Sequence, residues 1–256
     1  MSELDARSLA FALGDPAVVV EVRDVTASTQ DDAREGAKRG APAGSIFVAD
    51  AQTHGRGRQG RVWSAPPGSA LLASVLLHPR VAAETLPRLS LVVGLVVARA
   101  CAQRVTLPVG IKWPNDVEIG EKKLSGVLVE ASFRGRDIAH VVAGFGVNVR
   151  RASLPDEVRG RATSLEDAGA TDLDRASLLV DVARGLRSAV DRFERDGLGS
   201  FLDELRARDV ARGRDVEGES ARGVAKGIDD QGRLIVTTDG GPVAVQAGEV
   251  SFVARR

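Results

Sequence analysis

The chain has 256 residues, enough to bury a full core as one large domain with a small appendage. Its 35 lysines and arginines balance 35 aspartates and glutamates, which argues against a general nucleic-acid binder, since such proteins carry a basic excess. The single cysteine, Cys101, excludes an internal disulfide and a cysteine zinc site and favours a reducing compartment; with no signal-peptide pattern and no run approaching roughly 20 apolar residues, a cytoplasmic protein is expected.

Residues 18–22 read as a first strand after a short N-terminal segment. Ser28 or Thr29 then stands where a helix N-cap belongs, with Asp31 and Asp32 in the first turn and Gly40 able to stop the helix after about Lys38. A hydroxyl there can cap and nothing more, or it can also face a ligand. Two buried strands follow, at 45–49 and 70–77. Between them, from Gln52 to Arg61, glycines at 55, 57 and 60 alternate with arginines at 56, 58 and 61. Glycine allows left-handed backbone angles and close approach to a ligand, and arginine fits phosphate or carboxylate bidentately. Such a loop can close over an anion or be merely a solvated turn. Its flanking core strands fix both ends and favour the first reading.

Residues 86–104 fit a buried helix, ended before Pro108. Lys112, Trp113, Pro114, Asn115 and Asp116 then place a cation, a rigid turn and two polar side chains at a strand end, where mixed folds commonly put their chemistry. A strand closed by an Asn-Asp turn would use the same residues. Strands at 122–131 and 138–149 form a meander around a turn at Gly135, and 152–170 reads as a loop. Helical spacing resumes from an N-cap at Asp174 through Phe193, then in a short helix at about 199–208. Beyond Val210, short strands with turns at Gly218, 229–232 and 239–241 suggest a small β-barrel appendage. His54, His78 and His140 are not spaced as a metal cluster.

Taken together these motifs resemble the biotin protein ligases, the enzymes that attach biotin to carrier-protein lysines. The matching pieces keep the family's order: Ser28 and Thr29, Gln52 with the loop 55–61, the pentapeptide 112–116, residues 123–130, residues 144–149 and the C-terminal stretches 223–229 and 248–251. The sequence departs from the family at Gln30, where asparagine is usual, and at His54, where a small residue is common. About 17 residues precede the first strand, too few for the winged-helix DNA-binding domain of bifunctional repressor members, so a ligase that does not bind DNA is expected.

The resemblance implies an α+β fold like that of the class II aminoacyl-tRNA synthetases: a mixed sheet with packed helices as a catalytic domain at 1–208, and an SH3-like β-barrel at 209–256. It implies biotin and ATP as substrates, Mg²⁺ travelling with the nucleotide, and a biotin carboxyl carrier domain as acceptor; pairing with a second copy of the chain is left open. Biotin would be held by Ser28, Thr29, Gln30, Gln52, Arg56, Gly57 and Gly126. Arg58 and Lys123 would grip its carboxylate together with the α-phosphate. Arg61, Trp63, Lys112, Asn115 and Asn148 would serve the adenylate. Asp116 would either orient the acceptor amine and take its proton or help to hold Mg²⁺. Lipoate ligases are the nearest enzymatic rivals, and a non-catalytic nucleic-acid module is the alternative from another class.

Overall fold

The computed structural model describes residues 3–253. A short helix not expected from the sequence, α1 (Ala6–Leu13), opens the fold; Asp5 caps it by accepting from the Ser8 amide at 2.7 Å, and Gly14 ends it at φ 69°. Strand β1 (Val20–Thr26), slightly later than expected, runs parallel to β2 (Ile46–Gln52), with helix α2 (Thr29–Lys38) as the crossover. Strand β3 (Ala70–Leu77) pairs antiparallel with β2. Helix α3 (Leu86–Ala102) carries the chain to the far edge of the sheet, where β4 (Val109–Lys112), β5 (Asp116–Ile119), β6 (Lys122–Arg134) and β7 (Asp137–Asn148) return stepwise to pair with β3. The sheet order is thus β1-β2-β3-β7-β6-β5-β4, a mixed seven-stranded sheet.

The central strand β3 is buried along its whole length because both faces of the sheet are covered. Leu71, Ala73, Val75 and Leu77 join the main core with α3 and helix α4 (Arg175–Asp196), which starts at the predicted cap Asp174. On the opposite face Leu76 packs with Phe47, Val142 and Ala33 of α2. The stretch 83–102, α3 with the turn before it, is by length and composition apolar enough to cross a membrane, contrary to the expectation from sequence; here most of it is buried between the sheet and α4. Cys101 lies fully inside this layer, and burial pushes its thiol up to about 12.

After helix α5 (Leu202–Ala207), strands β8 (Asp215–Gly218), β9 (Arg222–Ile228), β10 (Leu234–Thr238), β11 (Gly241–Val245) and β12 (Val250–Phe252) form an antiparallel sheet in the order β11-β10-β9-β8-β12. This is the small β domain expected from the sequence; among the described residues β11 and β12 do not pair with each other to close it. It is fastened to the main sheet at β4: the Ile111 amide donates to the Arg208 carbonyl at 2.7 Å, the Val210 amide donates back at 3.1 Å, and Trp113 Nε1 donates to the Gly232 carbonyl at 3.0 Å.

Helix α2 lies close on the sheet because Gly36 presents no side chain to it. A Cβ at Gly36 would sit 2.1 Å from Cζ of the fully buried Phe47. Gly36→Ala is therefore expected to destabilise the protein by about 1–3 kcal/mol through overpacking, despite alanine's better helix propensity. Urea denaturation checks this; unchanged or increased stability would show that α2 can lift without cost.

Candidate active site

One side of the sheet is paved with glycine. The β6–β7 register sets Gly126 opposite Gly146 and Leu128 opposite Gly144. A Cβ at Gly146 would lie 2.5 Å from Cε2 of Trp63, and one at Gly144 would lie 2.8 Å from Cδ of Gln30. The absent side chains open a cleft of about 810 Å³ above the strands. Every residue predicted to act borders it: Ser28, Thr29, Gln30, Gln52, Arg56, Gly57, Arg58, Arg61, Trp63, Lys112, Asn115, Asp116, Lys123, Gly126 and Asn148.

At one end a buried polar chain runs from helix to strand. Ser28 caps α2, its Oγ accepting from the Gln30 amide at 3.3 Å. The Thr29 amide donates to Gln52 Oε1 at 2.8 Å, and Thr29 Oγ1 lies 2.9 Å from Ser74 Oγ. Ser74 donates to Gln30 Oε1 at 3.1 Å, while Gln30 Nε2 donates to Glu130 Oε2 at 2.8 Å and to the Leu128 carbonyl at 3.3 Å. Both ends of the Gln30 carboxamide are thus taken by protein partners. Polar groups this deep need such partners, each costing about 1–3 kcal/mol if left unpaired.

The glycine-arginine loop folds back on itself. The Trp63 amide donates to the Gly55 carbonyl at 2.9 Å and the Gly57 amide to the Arg61 carbonyl at 2.7 Å. Of its three glycines only Gly60, at φ 73°, has the left-handed angle; Gln59 shares it at φ 54°, while Gly57 is extended at φ −117°. Gly55 is required for a different reason, because a Cβ there would stand 2.2 Å from the Trp63 carbonyl oxygen. The fold lays the Trp63 indole over Gly146 and Gly126. Arg56 pairs with Asp31, Arg58 donates to Asn115 Oδ1 and to the Gly248 carbonyl, both at 3.1 Å, and Arg61 pairs with Glu249 at 2.6 Å.

The pentapeptide 112–116 forms the opposite wall. Trp113, followed by a cis bond to Pro114, turns into the core; Asn115 stays in the cleft, Nδ2 donating to the Val127 carbonyl at 2.8 Å. Asp116 pairs with Lys123 at 2.7 Å. The Lys123 backbone is clamped on its outer side, its amide donating to the Arg161 carbonyl and its carbonyl accepting from the Thr163 amide, both at 2.9 Å. Asn148 Nδ2 donates to the Thr163 carbonyl at 3.0 Å and so braces the same segment. Two cations from distant segments, Arg58 and Lys123, therefore face one cleft, each held by a protein acceptor that an anion could replace.

Several lining groups escaped sequence reasoning. Ser74 is the one hydroxyl in an apolar octet, a signal that could have been read. Glu118 was not legible, because a glutamate between two apolar residues on a short hairpin reads as solvated. Its side chain is in fact only 5% exposed, with Lys112 Nζ 3.7 Å from Oε1 and Oε2 unpartnered. Burial pushes its carboxyl above the ordinary value, opposed by the charge of Lys112. The loop 153–162 contributes Ser153, Leu154, Pro155, Val158, Arg161 and Ala162 to the rim, and Glu249 and Phe252 bring the C-terminal sheet to it. No group of three His, Cys, Asp or Glu able to hold a metal occurs among the described residues.

Residues 22–148 match the Biotin/lipoate A/B protein ligase family, and 212–253 match the Biotin protein ligase C terminal domain. The chain is 35% identical to the biotin–[acetyl-CoA-carboxylase] ligase of Mycobacterium tuberculosis, over 96% of this chain and 95% of that protein. The chain belongs to the biotin/lipoate protein ligase family. It is also 32% identical to the bifunctional ligase/repressor BirA of Bacillus subtilis, covering 90% of this chain and 72% of that one. Among solved structures, the biotin protein ligase of Aquifex aeolicus in complex with biotin and ATP superimposes with a TM-score of 0.79 at 30% identity, over 92% of this chain and 99% of that chain. The family assignment accounts for both sheets of the fold, since its two matches fall one on each.

The buried Glu118 gives a pH signature. Its carboxyl titrates higher in the folded than in the unfolded chain, so the charged form costs stability at neutral pH, and that cost fades as pH falls toward the ordinary value of 4.5. Glu118→Gln is expected to melt higher than the parent near pH 7, with the gap closing toward about pH 4.5. Thermal melts across this range check it; a gap independent of pH would contradict the assignment.

Proposed function

We propose that this family member is an ATP-dependent ligase that activates biotin as biotinyl-5'-AMP and transfers it to a lysine of a biotin carboxyl carrier domain. The observation that carries the reading is the convergence of Arg58 and Lys123 on a glycine-floored cleft whose other end holds the Ser28, Thr29 and Gln52 set. In the first half-reaction biotin's carboxylate attacks the α-phosphate of ATP and pyrophosphate leaves. In the second an acceptor lysine amine attacks the activated carbonyl and AMP leaves. Both steps gather negative charge around phosphorus, so positioned cations do the work that a protein nucleophile would do elsewhere.

In this reading Ser28, Thr29 and Gln52 hydrogen-bond the polar ring of biotin, beside the backbone at Arg56 and Gly57. Gln30 acts from beneath, its amide fixing Ser74 and through it Thr29. Arg58 leaves Asn115 and Gly248 to grip the carboxylate. Lys123 supports the α-phosphate while Asp116 holds it in place; Asp116 is also the carboxylate that meets the incoming amine and takes its proton. Trp63 lies on the glycine floor where a flat base can stack. Arg61, Lys112, Asn115 and Asn148 complete the nucleotide end, with residues 1–208 as the catalytic part and 209–256 closing the rim.

Mg²⁺ suits a site of this kind only as an ion that brings its ligands with it, because the described residues build no carboxylate cage and Asp116 is already paired with Lys123. Bound to the nucleotide phosphates, it would screen the charge of the departing pyrophosphate. The single free cysteine, Cys101, fits a cytoplasmic setting.

Incubating the protein with biotin, ATP, Mg²⁺ and a carrier domain is expected to add one biotinyl mass to the carrier, with biotin outcompeting lipoate. Arg58→Ala and Lys123→Ala should each slow adenylate formation roughly 10- to 150-fold, the loss of one charge-assisted hydrogen-bond set. Mass spectrometry of the carrier and quenched single-turnover assays read these outcomes. A carrier that gains no mass, or gains lipoyl in preference, would overturn the reading.

A further inference from the structure

The loop over the cleft is tied down on two sides. Its root is fixed by backbone bonds, the Thr53 amide to the Thr26 carbonyl and the His54 amide to the Ala27 carbonyl, both 2.9 Å. Its tip reaches the C-terminal sheet through Arg58 to Gly248 and Arg61 to Glu249. On the biotin side, beyond Gly55, the side-chain tie is the Arg56–Asp31 ion pair. Asp31 stands in the first turn of α2, whose cap and first residue are Ser28 and Thr29. It is itself braced: Arg34 Nη1 lies 3.0 Å from Asp31 Oδ1, and Arg34 Nη2 lies 2.6 Å from Glu130 Oε2, the carboxylate that receives Gln30. From Arg56 the interactions run through Asp31, Arg34, Glu130, Gln30, Ser74 and Thr29 to Gln52, where the loop begins. The circuit is closed; Asp31 links it to the loop on the side of Ser28 and Thr29, while Arg58 ties the loop to Asn115 on the opposite wall.

We propose that Asp31 is a positioning residue that fastens the glycine-arginine loop over the biotin end of the cleft and thereby retains the activated intermediate until the acceptor arrives; the inference rests on the ligase reading. A mixed anhydride released into water acylates any amine it meets, so the hold of the loop decides between directed and stray labelling. The helix turn that positions the polar pocket also positions its cover. The pair is half-exposed, with 36% of the Arg56 side chain and 44% of that of Asp31 accessible, so its effect is a modest factor and not an all-or-none gate.

The test compares the parent with Asp31→Asn and Asp31→Glu. In the free protein, trypsin cleavage after Arg56, Arg58 and Arg61 should be roughly 2- to 5-fold faster in Asp31→Asn and return to the parental rate in Asp31→Glu. With biotin and ATP but no carrier, escape of adenylate, read as biotin on bystander serum albumin lysines, should rise by a similar factor in Asp31→Asn and be restored by glutamate. The single-turnover rate of adenylate formation should stay within about twofold of the parent, which separates positioning from chemistry. Equal cleavage and equal escape in parent and Asp31→Asn would overturn the proposal, as would faster cleavage without greater escape. A parent that makes no adenylate at all would instead remove the ligase reading and this inference with it, while the cleavage arm would still report whether Asp31 holds the loop.

Discussion

The constraint on which the structure depends is the pairing register of β6 with β7. It places Gly126 against Gly146 and Leu128 against Gly144 on one face, while Val127, Phe145 and Val147 go to the helix-covered core on the other. A slip of one residue would turn the glycines into the core and drive valine and phenylalanine into the cleft. The floor, the space above it and the seats of Trp63 and Gln30 follow from that register.

Charge placement is the second organising feature. A cleft that gathers Arg58, Arg61, Lys112 and Lys123 would repel itself if its cations stood free. The fold instead gives each an internal acceptor: the Asn115 and Gly248 oxygens for Arg58, Glu249 for Arg61, Glu118 for Lys112 and Asp116 for Lys123. In the proposed reading an anionic substrate would exchange with these partners, and the pairs hold the site together without it. Three of the acceptors, Asn115, Asp116 and Glu118, lie within four residues of one another, so a single turn and the short strand after it set much of the electrostatics. The C-terminal sheet supplies two more from the loop at Gly248 and Glu249, which makes it part of the cleft wall.

Sequence reasoning went furthest where a local rule acts alone. Ser28 or Thr29, and Asp174, were read as helix caps from their side chains and the residues after them; Ser28 and Asp174 cap, and Thr29 is the first helical residue. The octet 70–77 was legible as a strand because unbroken hydrophobicity over that length fits burial on both faces. Where two segments had to meet, the sequence was silent. Gly55 and Gly57 look alike in the chain, yet one is required by the Trp63 carbonyl and the other is ordinary extended backbone. Helix α1 was missed although Asp5 and Gly14 mark its ends, because a short helix gives little periodicity to read.

The sequence by itself determined most of the element order, the mixed α+β class and the family, since caps, turn residues and ordered motifs are properties of neighbouring residues. It also named side chains that prove to line one cleft. Only the tertiary structure decided which of them share a cleft and what each touches: that Lys123 faces Asp116, that Arg58 reaches the C-terminal sheet and that Glu118 is buried beside Lys112. Those facts depend on strand register and on a sheet contributed from the far end of the chain, and long-range pairing leaves no local signature for a linear reading to find.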